Sequence, residues 1–248
     1  MLDRREVVAV DVPAPTDVVW QALRDPRGIR RWYGWERPGL DEEIRRVFAE
    51  EPTAAEVGAV TEPGGTTRSL SWRHGHRLTV APVGADGEHT RVSLTRPAEA
   101  DVWFEGMYDE GDEAWTASLQ QLRFALSQHP GEERTTFTAL GLDAGLHDRR
   151  LVDRVGLGTV RGVHLGGYVE ARRPDGSLLG GVVWHRTAHQ VGVVLHGLVR
   201  ALLVVTEVPA GHHPPHGVVS AVLSVYDADE ATLAETGRRW RAWWSLPG

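Results

Sequence analysis

The 248-residue chain contains no cysteine. That absence removes disulfides, thiol nucleophiles, thiolate zinc sites and iron–sulfur clusters together. Lysine is also missing, so all 27 basic residues are arginine. Schiff-base chemistry and a phosphate-cradling P-loop both need an amine, and neither is available. The longest apolar run, Val191 to Val205, is too short to cross a bilayer and is broken by His196 and Arg200. No membrane insertion is expected. The opening "MLDRREVVAVDV" carries charge where a signal peptide needs an apolar core, which predicts a cytoplasmic protein.

Catalytic motifs are scarce as well. There is no G-x-S-x-G, and no local Ser–His–Asp pattern stands out. "GLGTVRG" (Gly156 to Gly162) has one residue too many for a dinucleotide fingerprint, and no strand clearly precedes it. The pairs in "DEE" and "YDEGDE" read as carboxylates complementing helix N-termini. Clustered positive charge is absent too. Residues 1–130 hold 15 Arg against 22 Asp or Glu, and residues 131–248 hold 12 of each. A polyanion would meet an acidic half and a neutral half, so nucleic acid is not expected as a partner.

What is present is patterned. "EVVAVDV" (Glu6 to Val12) alternates as a strand does, Pro15 marks a helix start, and "TDVVWQALRD" has helical spacing. Asp25-Pro26 interrupts that helix, and "RGIRRWYGW" reads as a second short one. The segments "EIRRVFAE", "TTRSLSW", "HRLTVAPV" and "HTRVSLTRP" read as strands separated by Gly-rich turns. Then "DEAWTASLQQLRFALS" places Trp115, Leu119, Leu122 and Leu126 on one helical face. "SQHPGEERT" (Ser127 to Thr135) has a Pro-Gly pair and a charge run after that helix, and marks a boundary. The predicted domains are therefore 1–130 and 131–248.

The second half runs through a parallel series. "RTTFTALGL" reads as a strand and "LHDRRLVDRVGL" as a helix. "HLGGYVEARR", "LLGGVVWHRT", "QVGVVLHG", "VRALLVVTEV" and "GVVSAVLSVYD" follow as strands, with a hairpin turn at Asp175-Gly176. A last helix is predicted over 228–244. Tyr108-Asp109 and Tyr226-Asp227 are 118 residues apart, and the same offset carries Trp115 to Leu233, Leu119 to Gly237, Leu122 to Trp240 and Leu126 to Trp244. Matching stripes and matching order suggest duplication.

The stretch "VPAPTDVVWQALRDPRGIRRWYGW" resembles the SRPBCC or START-like superfamily, and within it the group named for the activator of the heat-shock chaperone ATPase. The pattern A-x-x-x-x-V-W-x-A-L-x-D-P-x-x-[IL]-x-x-W is filled by Ala14, Val19, Trp20, Ala22, Leu23, Asp25, Pro26, Ile29 and Trp32. The likeness is good over residues 6–35 and fair to about 128; in the second half it rests on element order. It implies an α+β protein of two tandem helix-grip (START/birch-pollen-allergen-like) domains. Each would be a curved antiparallel sheet around a long C-terminal helix, with a cavity between them that in many members holds an apolar ligand.

On that resemblance the candidate ligand-binding residues are Tyr33, Trp35, Trp72, Trp103, Trp115, Leu119, Trp184 and Trp240. Trp20 and Trp32 match positions that pack the short helices onto the sheet. Three histidine groups invite a metal reading: "HGH" (His74, His76) on one strand face, "HRTAH" (His185, His189) and "GHHPPH" (His212, His213, His216). All read more simply as solvated or edge histidines, so neither metal nor cofactor is expected, and no catalytic residue is assigned. The leading expectation is non-enzymatic binding of an apolar or aromatic small molecule. The resemblance also implies two rivals, a polyketide cyclase/aromatase using the same cavity and an interaction module whose partner is a chaperone.

Overall fold

The structure, a computed structural model, describes residues 4–57, 66–84, 86–98, 107–173, 176–197 and 200–245. The chain falls into two compact units, Met1–Phe104 with Asp109–Glu133, and Glu105–Tyr108 with Arg134–Gly248.

In the first unit, β1 (Arg4–Val12) leads into α1 (Thr16–Arg24) and α2 (Pro26–Arg30). Asp25 explains the break between the helices: its carboxylate accepts from the amides of Arg27 and Gly28, capping α2 just where Pro26 can begin a helix but not continue one. Next comes α3 (Leu40–Ile44), prolonged by a π-helical segment over Arg45–Glu50. The expected strand over "EIRRVFAE" is therefore wrong. Leu40, Ile44 and Phe48 recur every fourth residue and are all buried, so helical spacing overrode a locally strand-like run. Strands β2 (Thr53–Val57), β3 (Thr67–Ser71), β4 (Arg77–Val83) and β5 (His89–Pro97) then form a meander, closed by α4 (Glu110–Gln128). The sheet order is β1-β5-β4-β3-β2, antiparallel throughout.

The second unit repeats this plan. After β6 (Arg134–Asp143) comes α5 (Leu151–Arg154), only four residues long, and a 3-10 turn over Gly158–Gly162. The helix expected over "LHDRRLVDRVGL" is thus mostly loop. Arg150 is extended, at ψ 140°, so the helix starts only after it, and Gly156 ends it: its φ of +84° lies in the left-handed region, and a Cβ there would stand 2.1 Å from the Arg172 carbonyl oxygen. Strands β7 (Tyr168–Arg172), β8 (Leu178–Arg186), β9 (Gln190–His196), β10 (Ala201–Val208) and β11 (Val218–Tyr226) precede α6 (Glu230–Trp244). Their order is β6-β11-β10-β9-β8-β7.

Both units are therefore helix-grip domains: in each, the last strand returns to pair with the first and a long C-terminal helix packs on the sheet. Register shifts between Glu6 and Val8, Val183 and His185, and Val219 and Ala221 supply the local bends that curve such sheets. In the second unit, Val205, Val219, Leu223 and Val225 join Trp240 and Trp243 in one core. Gly237 permits the close approach of α6, since a Cβ there would lie 3.0 Å from the Phe137 ring.

Candidate functional site

The first unit brings four sequence-predicted residues together around α4. Trp115 has its ring centroid 5.6 Å from Trp72 and 6.5 Å from Tyr33, and Phe48 lies between them at 4.9 Å from Tyr33 and 6.2 Å from Trp115. Leu119, one turn further along α4, is fully buried. Polar tips are satisfied locally. The Trp72 indole donates to the Val47 carbonyl at 2.7 Å, and the Tyr33 hydroxyl donates to Glu43 at 3.0 Å. Burial raises the Tyr33 pKa against the pull of Arg37 and Arg46. Edge-to-face rings at these spacings pack one another. Trp35 stands apart, half-buried, with the Arg37 guanidinium 5.6 Å over its ring. Trp103 lies outside the described residues.

Above this cluster, at the start of α4, is a compact charge network. Arg96 pairs with Asp109 at 2.8 Å and Asp112 at 3.0 Å, and Arg5 pairs with Asp112 at 2.5 Å. His76 abuts it. The "HGH" histidines do not share a strand face as expected; they sit in the turn between β3 and β4, with ring centroids 4.5 Å apart. Gly75, at φ +94°, makes this tight turn and sends His76 inward. Both His76 ring nitrogens are buried with no hydrogen-bond partner among the described residues. Burial, then His74 and Arg96, lower its pKa despite Asp112 and Asp109.

The second unit holds an open space between sheet and helix. A hollow of about 140 Å³ is walled by Leu179, Leu195, Ala201, Leu223, Trp240 and Trp243. The two indoles are fixed by their own N–H groups, Trp240 to the Thr138 carbonyl at 3.0 Å and Trp243 to that of Val155 at 2.9 Å. Their apolar faces are thereby left to the hollow. Arg173, His196 and Arg239 line it as well, and the Arg173 guanidinium stands 5.8 Å over the Trp243 ring. Trp240 is thus placed at the hollow. Trp184 is not: it is half-buried at the β8 irregularity and absent from the lining. Sequence reasoning missed Trp243. The signal was present, since Thr236, Trp240 and Trp243 recur at helical spacing, but the 118-residue offset pointed to Trp244 instead.

A second, larger hollow of about 480 Å³ opens at the opposite end of the same sheet, where β10 ends and the β8–β9 turn meets the loop after β6. Arg150, Arg161, Glu207, His147, His189 and His216 supply its polar lining. His185 is buried on β8 and bonds Gln190 at 2.6 Å, His212 lies 4.9 Å from the Tyr108 ring, and His216 pairs with Asp143 at 3.1 Å. Among the described residues no group of three or more potential metal ligands converges, and no helix is long and apolar enough to cross a membrane.

No family model matches the chain, and no curated protein matches it either. Among solved structures it is similar to the di-domain ARO/CYC BexL from the BE-7585A biosynthetic pathway, at 16% identity and a TM-score of 0.30, covering 97% of this chain and 94% of that one. The di-domain ARO/CYC StfQ from the steffimycin biosynthetic pathway is similar at 11% identity and a TM-score of 0.26, over 93% and 87% of the two chains. DynU16, from the dynemicin biosynthetic locus, follows at 14% identity and a TM-score of 0.27, over 98% and 96%. These likenesses are distant, and the helix-grip fold stands on strand order and helix placement. No comparison adds to the chaperone-activator likeness of residues 6–35.

Proposed function

We propose that the chain binds a small apolar or aromatic molecule between the second sheet and α6 and holds it without transforming it. The observation that carries this reading is the hollow beside Trp240 and Trp243. An apolar cavity of about 150 Å³ accepts a molecule the size of benzene, so this open hollow suits one buried ring with a second ring fused to it at the mouth. Arg173 and Arg239 would anchor a polar substituent. Ala201→Leu tests it by filling the space from the β10 side. Titration of the chain with naphthalene, followed by tryptophan fluorescence, should show binding that drops at least tenfold in this variant. Unchanged affinity in a folded Ala201→Leu protein would remove the hollow from consideration.

A second reading has its own support. Arg173 and Arg239 bring two guanidiniums to the lining of the same hollow. A guanidinium there can hold the oxyanion that develops when a carbon flanked by carbonyls gives its proton to water. This is the polyketide cyclase/aromatase chemistry that the superfamily resemblance implies. Cyclised product from a linear poly-β-ketone, lost in Arg239→Ala while naphthalene binding persists, would establish it; no turnover by the parent protein would leave binding alone.

A further inference from the structure

We infer that the 480 Å³ hollow at the far end of the second sheet is a site for a small organic oxyanion, a phosphate monoester or carboxylate carrying an apolar body. The inference does not depend on the ligand proposed between the sheet and α6. Its volume falls in the range that holds small-molecule ligands. Its charge is unusual for this acidic chain. Glu207, whose side chain is 13% exposed, accepts Arg150 on one carboxylate oxygen and Arg161 on the other at 2.7 Å. Arg161 also donates to the Ala188 carbonyl at 3.3 Å. One buried carboxylate therefore positions two guanidiniums, which remain 38% and 33% exposed.

Two arginines against one glutamate leave one net positive charge in the lining before any imidazole is counted. Each guanidinium has five N–H donors, and the contacts just described use one on Arg150 and two on Arg161. The remaining donors are held in fixed forks, the geometry that matches carboxylate or phosphate oxygens in pairs. His147, His189 and His216 add further polar groups, although Asp143 faces His216 from outside the lining. Leu146, 56% exposed, and Pro209 and Pro215 give the hollow an apolar side. An anion with a ring or short chain satisfies both sides at once; a bare cation or a neutral hydrocarbon satisfies only one.

Phenyl phosphate, benzoate and phenol, titrated separately into the full chain by calorimetry and by amide chemical shifts, test the inference. Phenyl phosphate should bind at least tenfold more tightly than phenol, with shifts concentrated at Gly145, His147 and Ala188. Whether benzoate or phenyl phosphate binds more tightly distinguishes a carboxylate from a phosphate ligand, and either order supports an oxyanion site. Arg161→Ala and Arg150→Ala should each weaken phenyl phosphate at least tenfold. Arg173→Ala, at the opposite hollow, should leave it unchanged, which separates failure here from failure of the sheet–helix site. Equal binding of phenol and phenyl phosphate, or shifts confined to residues around Trp240, would overturn the inference. Should the arginine variants fail to fold, the phenol comparison and the shift map on the parent chain decide it.

Discussion

Trp32 is 1% exposed, its indole donates to the Ala22 carbonyl at 3.0 Å, and Tyr33 and Phe48 meet it edge-on. Truncation there removes a large buried ring and orphans a carbonyl, so Trp32→Ala should cost about 3–5 kcal/mol in urea unfolding. Trp20, its partner in the sequence pattern, is only half-buried under the Arg68 guanidinium at 5.8 Å. Trp20→Ala should cost roughly 1 kcal/mol, the ordinary scale for a partly exposed position. Trp115→Ala, which breaks the ring cluster with Trp72, Tyr33 and Phe48, should cost on the order of 3 kcal/mol and leave naphthalene binding in the second unit intact. His76 gives a pH signature. Its folded pKa is lowered, chiefly by burial, from the ordinary value of 6.5. As pH falls through that value the unfolded chain takes up a proton that the native chain refuses, so stability declines until the folded pKa is passed. His76→Gln should flatten that part of the profile. An unchanged slope between pH 7 and pH 5 would assign it to other histidines.

Among the elements, α4 and α6 begin in the same way, with Asp109 accepting from the Asp112 amide at 3.0 Å and Asp229 from the Thr232 amide at 2.7 Å. The sequence offset aligned Asp109 with Asp227 instead. Asp227 takes a positive φ of 43°, which turns the chain and delays the helix by two residues. Burial raises the Asp109 pKa, but the Arg96 hydrogen bond and the Asp112 amide outweigh it and hold the carboxyl below 3.8. Its contribution is therefore present above the unfolded value and lost as pH falls through the folded one. Asp109→Ala should cost about 1 kcal/mol at pH 7, with solvent screening limiting the ionic part, and less at pH 2. Asp109→Asn, which keeps the cap but drops the charge on Arg96, should fall between. Strand alternation made β1, β3, β4, β5 and all six strands of the second sheet legible from sequence. The π-helical continuation over Arg45–Glu50 was not, because its signal is spread over Leu40, Ile44 and Phe48 across a segment boundary. The oxyanion hollow was illegible for a related reason: Glu207 is far along the chain from Arg150 and Arg161 and meets them only once β10 is in register.

At the scale of the whole molecule, one topology occurs twice with unequal content. The first meander has four strands after its helices and the second has five, yet in both the opening strand pairs with the closing one. The stripe from Leu119, Leu122 and Ala125 on α4 recurs at Gly237, Trp240 and Trp243 on α6, all buried. Leu119 gives way to Gly237, while Trp240 and Trp243 stand where the first unit has Leu122 and Ala125. Aromatic rings in the first unit pack around Trp115, while the second unit retains space beside Trp240 and Trp243. Shared topology implies a shared order of local stability, because an inner strand is hydrogen-bonded on both sides and an edge strand on one. Native-state hydrogen exchange should find β4 and β5 slowest in the first sheet and β9, β10 and β11 slowest in the second. The edge strands β2 and β7 should exchange first, each five residues long and paired on one side only. Adding naphthalene should slow exchange along β9 and β10 and in α6, with β3 to β5 unaffected, since ligand binding stabilises the elements that hold it. Protection appearing first in β4 and β5 would move the ligand to the first unit and make Trp115 a contact residue instead of packing.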